Sequence, residues 1–267
     1  MTKSELTWRH RCRWVYPFTI LFFYVLTSSA QTNSYAQFNN EFNFTRSLKG
    51  KWVSELNLNH TWCSTPSNPN PFHINSQWYV RGWIHYYATA RWRFSAFLAY
   101  FYNRDIPELS QKEVPELRFA VQGTYYFHKV GYTLLGSFRI EDRKFWTDED
   151  IWEASYRFWA NLRFVLPLNG KTIRRGIWYA IASEEVFLKT GAVVSGKQSF
   201  DRNKLTLGGG YSITDNLQVE LTYSNEFVPR SEMNEMYNTL SLGFNINNFI
   251  PMVKKKFFSK NEPLDQN

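Results

Sequence analysis

The stretch Tyr132–Phe164, YTLLGSFRIEDRKFWTDEDIWEASYRFWANLRF, decides how the rest of the chain is read. Thr133, Ser137, Arg139, Glu141 and Arg143 fall on one side of an extended segment, with Leu134, Phe138 and Ile140 on the other. After a short polar loop, Arg157, Trp159, Asn161 and Arg163 share one side, and Tyr156, Phe158, Ala160, Leu162 and Phe164 the opposite one. Side chains of a strand point alternately to its two faces, so the repeat of two means strands and excludes a helix. The polar face carries charges where a soluble sandwich needs a dry core. The apolar face is aromatic where a soluble protein needs water. That inversion predicts a transmembrane β-barrel with lipid outside and a polar lumen.

Composition agrees. Aromatics make up 19% of the 267 residues, 23 Phe, 16 Tyr and 11 Trp, a supply that suits the girdles at the two interfaces of a barrel. Mean hydropathy is −0.45, which excludes a helical membrane protein. It does not exclude a barrel, whose apolar residues occur only at alternate positions. The formal charge is +8; Lys3, Arg9, Arg11 and Arg13 against Glu5 supply +3 of it, leaving +5 for the remainder. The basic residues are spread singly over many strands, so no nucleic-acid-binding patch is expected. Cys12 precedes the apolar part of the leader and Cys63 stands in an expected polar loop, so no intramolecular disulfide is expected.

Residues 1–30 read as a cleaved secretory signal: Arg9, Arg11 and Arg13, an apolar run Trp14–Leu26, and Ser28-Ser29-Ala30 before Gln31. Residues 31–250 read as an outer-membrane barrel and 251–267 as a basic periplasmic tail around Lys254–Lys256 and Lys260. The expected strands are Gln37–Thr45, Trp52–Trp62, Gln77–Ala88, Trp92–Asn103, Leu117–Phe127, Tyr132–Arg143, Ile151–Val165, Ile177–Phe187, Lys204–Ile213, Leu217–Phe227 and Tyr237–Ile246. Short and long connections alternate between them, and the short set should face the periplasm. Bacterial barrels ordinarily have an even strand count. The expectation is therefore an all-β, antiparallel, up-and-down transmembrane β-barrel of ten to twelve strands. Twelve is favoured, with an extra strand in Phe187–Ser199.

The charges that read inward include Arg81, Arg93, Arg118, Arg139, Glu141, Arg143, Arg157, Arg163, Lys204 and Glu220, with Glu55 and Glu226 beside them. They can line a narrow passage or binding lumen for small anionic solutes, centred on Arg139, Arg143, Arg157 and Arg163 with Glu141 holding the arginines. They can equally pair with the glutamates and fill a small barrel. Besides such solutes, the expected partners are outer-membrane lipids. A lipid-modifying enzyme is the catalytic rival, but histidine is scarce. Ser54 and His60 share one strand face about 20 Å apart, six residues at ~3.4 Å each, beyond hydrogen-bond reach. No metal-ligand spacing and no phosphate loop is present, so neither catalysis nor a cofactor or metal is expected. Gly208-Gly209-Gly210 more plainly lets a strand bend or a bulky neighbour pack closely.

Arg139-Ile-Glu141-Asp-Arg143, the Arg157/Arg163 strand, Glu185-Val-Phe187, and Phe200-Asp-Arg-Asn203-Lys204-Leu205 before Gly208–Tyr211 form a succession. It resembles the outer-membrane barrels grouped as domain-of-unknown-function family 2490, common in Bacteroidota, over roughly Gln37–Asn248. Asp142 stands where that pattern has an aromatic and Lys204 where it has arginine. The resemblance implies the barrel and its location in the outer membrane of a Gram-negative cell. It lends no activity.

Overall fold

A computed structural model describes residues 32–109, 111–146, 151–192, 197–230 and 233–249. The expected signal segment 1–30 and basic tail 251–267 lie outside the described residues. Among the described residues eleven strands form one closed barrel: β1 (Thr32–Ser47), β2 (Trp52–Cys63), β3 (Ile74–Tyr87), β4 (Trp92–Asn103), β5 (Val114–His128), β6 (Thr133–Trp146), β7 (Trp152–Pro167), β8 (Trp178–Lys189), β9 (Phe200–Thr214), β10 (Leu217–Val228) and β11 (Asn234–Ile246). Consecutive strands pair antiparallel, as Glu141 opposite Arg157 illustrates for β6 and β7.

Closure is different. Thr239 meets Gln37 at 2.9 Å, Asn43 meets Asn245 at 2.9 Å and Thr45 meets Asn247 at 2.8 Å, always with a separation of 202 in sequence. A constant separation means that β1 and β11 run in the same direction. The expectation of an even count, twelve above all, is thereby corrected to eleven. An even number is required only when every neighbouring pair is antiparallel; one parallel seam closes an odd barrel. Nor does the chain after Phe187 add a strand among its described residues. β8 continues to Lys189, whose backbone N–H already reaches the Ser199 carbonyl at 2.7 Å, and β9 begins at once.

The wall has the inverted pattern. Leu98 (63% exposed), Phe119 (51%) and Phe138 (54%) face outward, whereas Arg118, Arg139 and Glu141 are buried inside. Trp52, Tyr86, Trp92, Tyr125, Trp178 and Tyr211 pack in pairs around the end with the short turns. Phe38, Trp62, Phe72, Trp78, Tyr102, Trp146 and Trp152 do so towards the end with the long loops. Two aromatic belts around an apolar band are what lipid interfaces select. The triple glycine acts as the sequence suggests. A Cβ on Gly210 would overlap the Tyr179 ring, and one on Gly208 would lie 2.6 Å from Thr222 Cα.

Candidate functional site

The most densely built part of the molecule is the lumen beside β5–β9, in the half nearer the long loops. Alternation puts Glu116 and Arg118 of β5, Arg139, Glu141 and Arg143 of β6, and Arg157 of β7 on the inner face, and strand pairing brings them level. Glu141 is completely buried (0% exposed). Its Oε1 accepts from Arg139 Nε at 2.6 Å, and its Oε2 from Arg157 Nε at 2.7 Å and Nη2 at 2.6 Å. Arg118 Nη1 lies 3.7 Å from the same carboxylate. Glu116 takes a two-pronged contact from Arg118 (2.9 and 2.9 Å) and another from Arg143 (2.6 and 3.1 Å). Asp201 completes the cluster with Lys189 at 3.2 Å, Arg202 at 3.2 Å and Arg157 at 3.5 Å; Arg202 also binds Glu226 at 2.6 Å.

Aromatic rings fill the spaces between the ions. Arg118 lies over Phe101 at 3.8 Å, Arg139 over Trp159 at 3.9 Å, Arg143 over Phe145 at 4.7 Å and Arg157 over Phe187 at 5.0 Å. Trp159 Nε1–H donates to Glu185 at 2.8 Å. The planar guanidinium suits this place because it stacks on a ring and forks onto a carboxylate at once. Removing water raises the cost of each charge, and the pairing offsets it.

The connection between β4 and β5 folds over the neighbouring part of the mouth. Its short 3-10 helix Pro107–Leu109 sets Leu109, together with Ile106, against Tyr35, Cys63 and Tyr237. Cys63, expected in a polar loop, is instead the fully buried last residue of β2 beneath this cap. Glu108 of the same helix is exposed and accepts from the Ser67 hydroxyl at 2.7 Å, which holds its carboxyl below the usual carboxylate range.

The opposite wall is built from amides. Asn59 donates to Asn39 at 2.5 Å, Asn57 to Asn43 at 2.5 Å, and Asn43 to Asn245 across the seam. Arg81 Nε and Trp83 Nε1 both donate to the Asn57 carbonyl at 2.8 Å, and Arg81 also reaches Glu41 at 3.4 Å. Phe97 joins the two walls, with the Arg81 and Arg139 guanidiniums 5.6 and 5.7 Å from its ring centre.

Of the twelve inward charges expected from sequence, Arg118, Arg139, Glu141, Arg143 and Arg157 converge in one cluster, and Arg81 stands at its edge. Arg139, Arg143 and Arg157 are 9%, 8% and 5% exposed. Arg163 is apart from them, nearer the short turns, 38% exposed and 3.7 Å from Glu220. Glu220 also accepts from the Tyr179 hydroxyl at 3.0 Å. Lys204 faces inward, level with Glu185 on β8 and Glu226 on β10. Arg93 faces inward at the start of β4 and makes no ion pair among the described residues. The sequence reading missed Glu116, Lys189, Asp201 and Arg202. Glu116 shares the parity of Arg118 but precedes the strand start expected at Leu117. The other three sit where β8 and β9 outrun their expected bounds, beside a bulge between Phe187 and Leu188.

A family model described as "Protein of unknown function (DUF2490)" matches residues 33–237. No curated protein matches the sequence. Among solved structures, a bacterial polysaccharide outer membrane secretin is similar at 12% identity and TM-score 0.47, over 73% of this chain and 64% of that one. The chain thus spans less than two thirds of that protein's length. The β domain of the Bordetella autotransporter BrkA is similar at 11% identity and TM-score 0.43, over 76% of this chain and 86% of that one.

Proposed function

The chain belongs to the DUF2490 family, whose description assigns no activity, and we propose from its wall and lumen that it is a non-catalytic outer-membrane β-barrel, closed in the half that carries the long loops. The apolar outer band and its two aromatic belts support the membrane. The short turns then face the periplasm and the long loops the exterior. One observation carries the closure: Glu141, at 0% exposure, is held by arginines from β6 and β7 with a third from β5 close by, and aromatic rings fill the gaps. An open anion passage needs its arginines wetted and their charge unspent. Arg139, Arg143 and Arg157 are dry and paired. Small anionic solutes are therefore confined to the wetter lumen near Arg163 and the short turns.

Detergent extraction and a heat-modifiable gel band test the membrane barrel. Release of small anions and sugars from vesicles holding the folded protein tests the closure. The expected result is a shifted band and no release. Rapid release by the native chain overturns the closure and leaves the barrel standing; extraction without detergent overturns the barrel itself.

A further inference from the structure

One lumen arginine is built unlike the others. Arg81, Arg118, Arg139, Arg143, Arg157, Arg163 and Arg202 each have a carboxylate within 4.0 Å. Arg93 has neither an ion pair nor a hydrogen bond among the described residues, and its Nε is buried without a partner. Its neighbours across the sheet are Tyr87 on β3 and Thr124 on β5, and its guanidinium lies 6.0 Å from the ring centres of both Tyr87 and Tyr126. Tyrosine faces attract a cation but neutralise none of its charge. A buried donor without an acceptor is rare and asks for a reason.

The surroundings supply one. Arg93 stands at the mouth with the short turns, and the charged residues of the described turns at that end are basic with one exception: Lys49, Lys51, Arg91, Lys129, Arg174 and Arg175 are among those exposed there. Asp215 is the one acid in those turns, and its carboxylate accepts from the Arg175 backbone N–H at 3.0 Å. Lys129 Nζ lies 4.0 Å from the Tyr126 ring centre and donates to the Ala90 carbonyl at 2.7 Å. A ring of like charge round a low-dielectric mouth focuses its field inward and concentrates anions there.

We propose that Arg93, framed by Tyr87, Tyr126 and Lys129, is an anion-binding site at the short-turn mouth of the lumen, suited to a phosphate group. A guanidinium fork matches phosphate oxygens, and the tyrosine rings dry and orient it. A free phosphate and the headgroup of an anionic phospholipid present the same chemistry. The site depends on the membrane-barrel reading only for which water the mouth faces; it does not depend on closure at the far end.

Phosphorus NMR of the full chain tests it in two arms. In neutral detergent, inorganic phosphate is titrated and its line broadening followed. In bilayer discs, phosphatidylglycerol is compared with phosphatidylcholine. Arg93→Gln is expected to weaken binding about tenfold or more, because it removes a charge-assisted donor. Arg230→Gln, at the long-loop end and already paired with Glu235 at 2.7 Å, should stay within about twofold. The heat-modifiable band of R93Q should persist, since no carboxylate loses a partner. Arg93-dependent broadening of free phosphate makes a soluble anion the ligand; dependence confined to phosphatidylglycerol makes it a headgroup. Broadening that is unchanged in R93Q, or absent from the native chain in both arms, overturns the site. A missing heat-modifiable band in the native chain would fault the barrel reading instead.

Discussion

The wall made by β5–β9 and the wall made by β11, β1 and β2 face one lumen with different chemistry. The first sets full charges against each other across aromatic rings, and its members are nearly dry. The second links Asn39, Asn43, Asn57, Asn59 and Asn245 through amide hydrogen bonds. Charges out of water must be compensated by opposite charges at contact distance. Amides ask for less, since each is both donor and acceptor and is satisfied by its like. The amide wall includes the parallel seam, where β1 and β11 meet without a connecting turn to set their register. Side-chain pairs that repeat at a fixed offset of 202 supply that register instead.

The comparison breaks first at Glu141. Glu141→Ala leaves arginines of β6 and β7 buried without their carboxylate and should destabilise the folded barrel by about 3–5 kcal/mol, as loss of one partner of a buried pair does. Urea titration in lipid vesicles, read by the heat-modifiable band, measures it. A loss below about 1 kcal/mol would mean that water already reaches the cluster. Next comes Phe97, where the two walls meet. Phe97→Ala should cost about 3 kcal/mol, and its effect should be non-additive with Glu141→Ala, because both change the environment of Arg139. Additive effects would separate the two walls energetically.

Asn43→Ala sharpens the other side. It removes the links from β1 to Asn57 and Asn245 and should cost about 1–2 kcal/mol, two neutral hydrogen bonds' worth, in the same titration. The smallest effect lies outside the lumen. Glu108 has its carboxyl held below the usual range chiefly by the Ser67 hydroxyl. A depressed carboxylate stabilises the folded state above its unfolded value, and that contribution is lost as pH falls through the folded value. Protease nicking of the 64–73 loop should therefore rise only at acid pH below the ordinary carboxylate range. Glu108→Gln should remove that acid step.

How much of this was legible depends on range. Alternation in Tyr132–Phe164 gave away the wall, the lumen face and the meeting of Arg139, Glu141 and Arg157, because each follows from parity within a strand and pairing with its neighbour. The strand count was not legible. Whether β1 and β11 meet parallel or antiparallel is fixed by contacts 202 residues apart, which no local pattern records. Glu116 and Asp201 were hidden at strand ends that run past the apolar alternation. Near Asp201 a bulge also shifts the parity. The Ile106 and Leu109 cap was hidden because two apolar residues in a polar loop carry no period.

The most direct test of the central claim, a lumen shut by its own ion pairs, is single-channel conductance of the folded native chain in a planar bilayer, with insertion verified by heat-modifiable mobility. The ion-paired lumen predicts a silent bilayer at rest, and conducting steps once Glu116 and Glu141 are both replaced by glutamine. Steady anion-selective steps from the native chain would contradict it and make the arginines the lining of a passage.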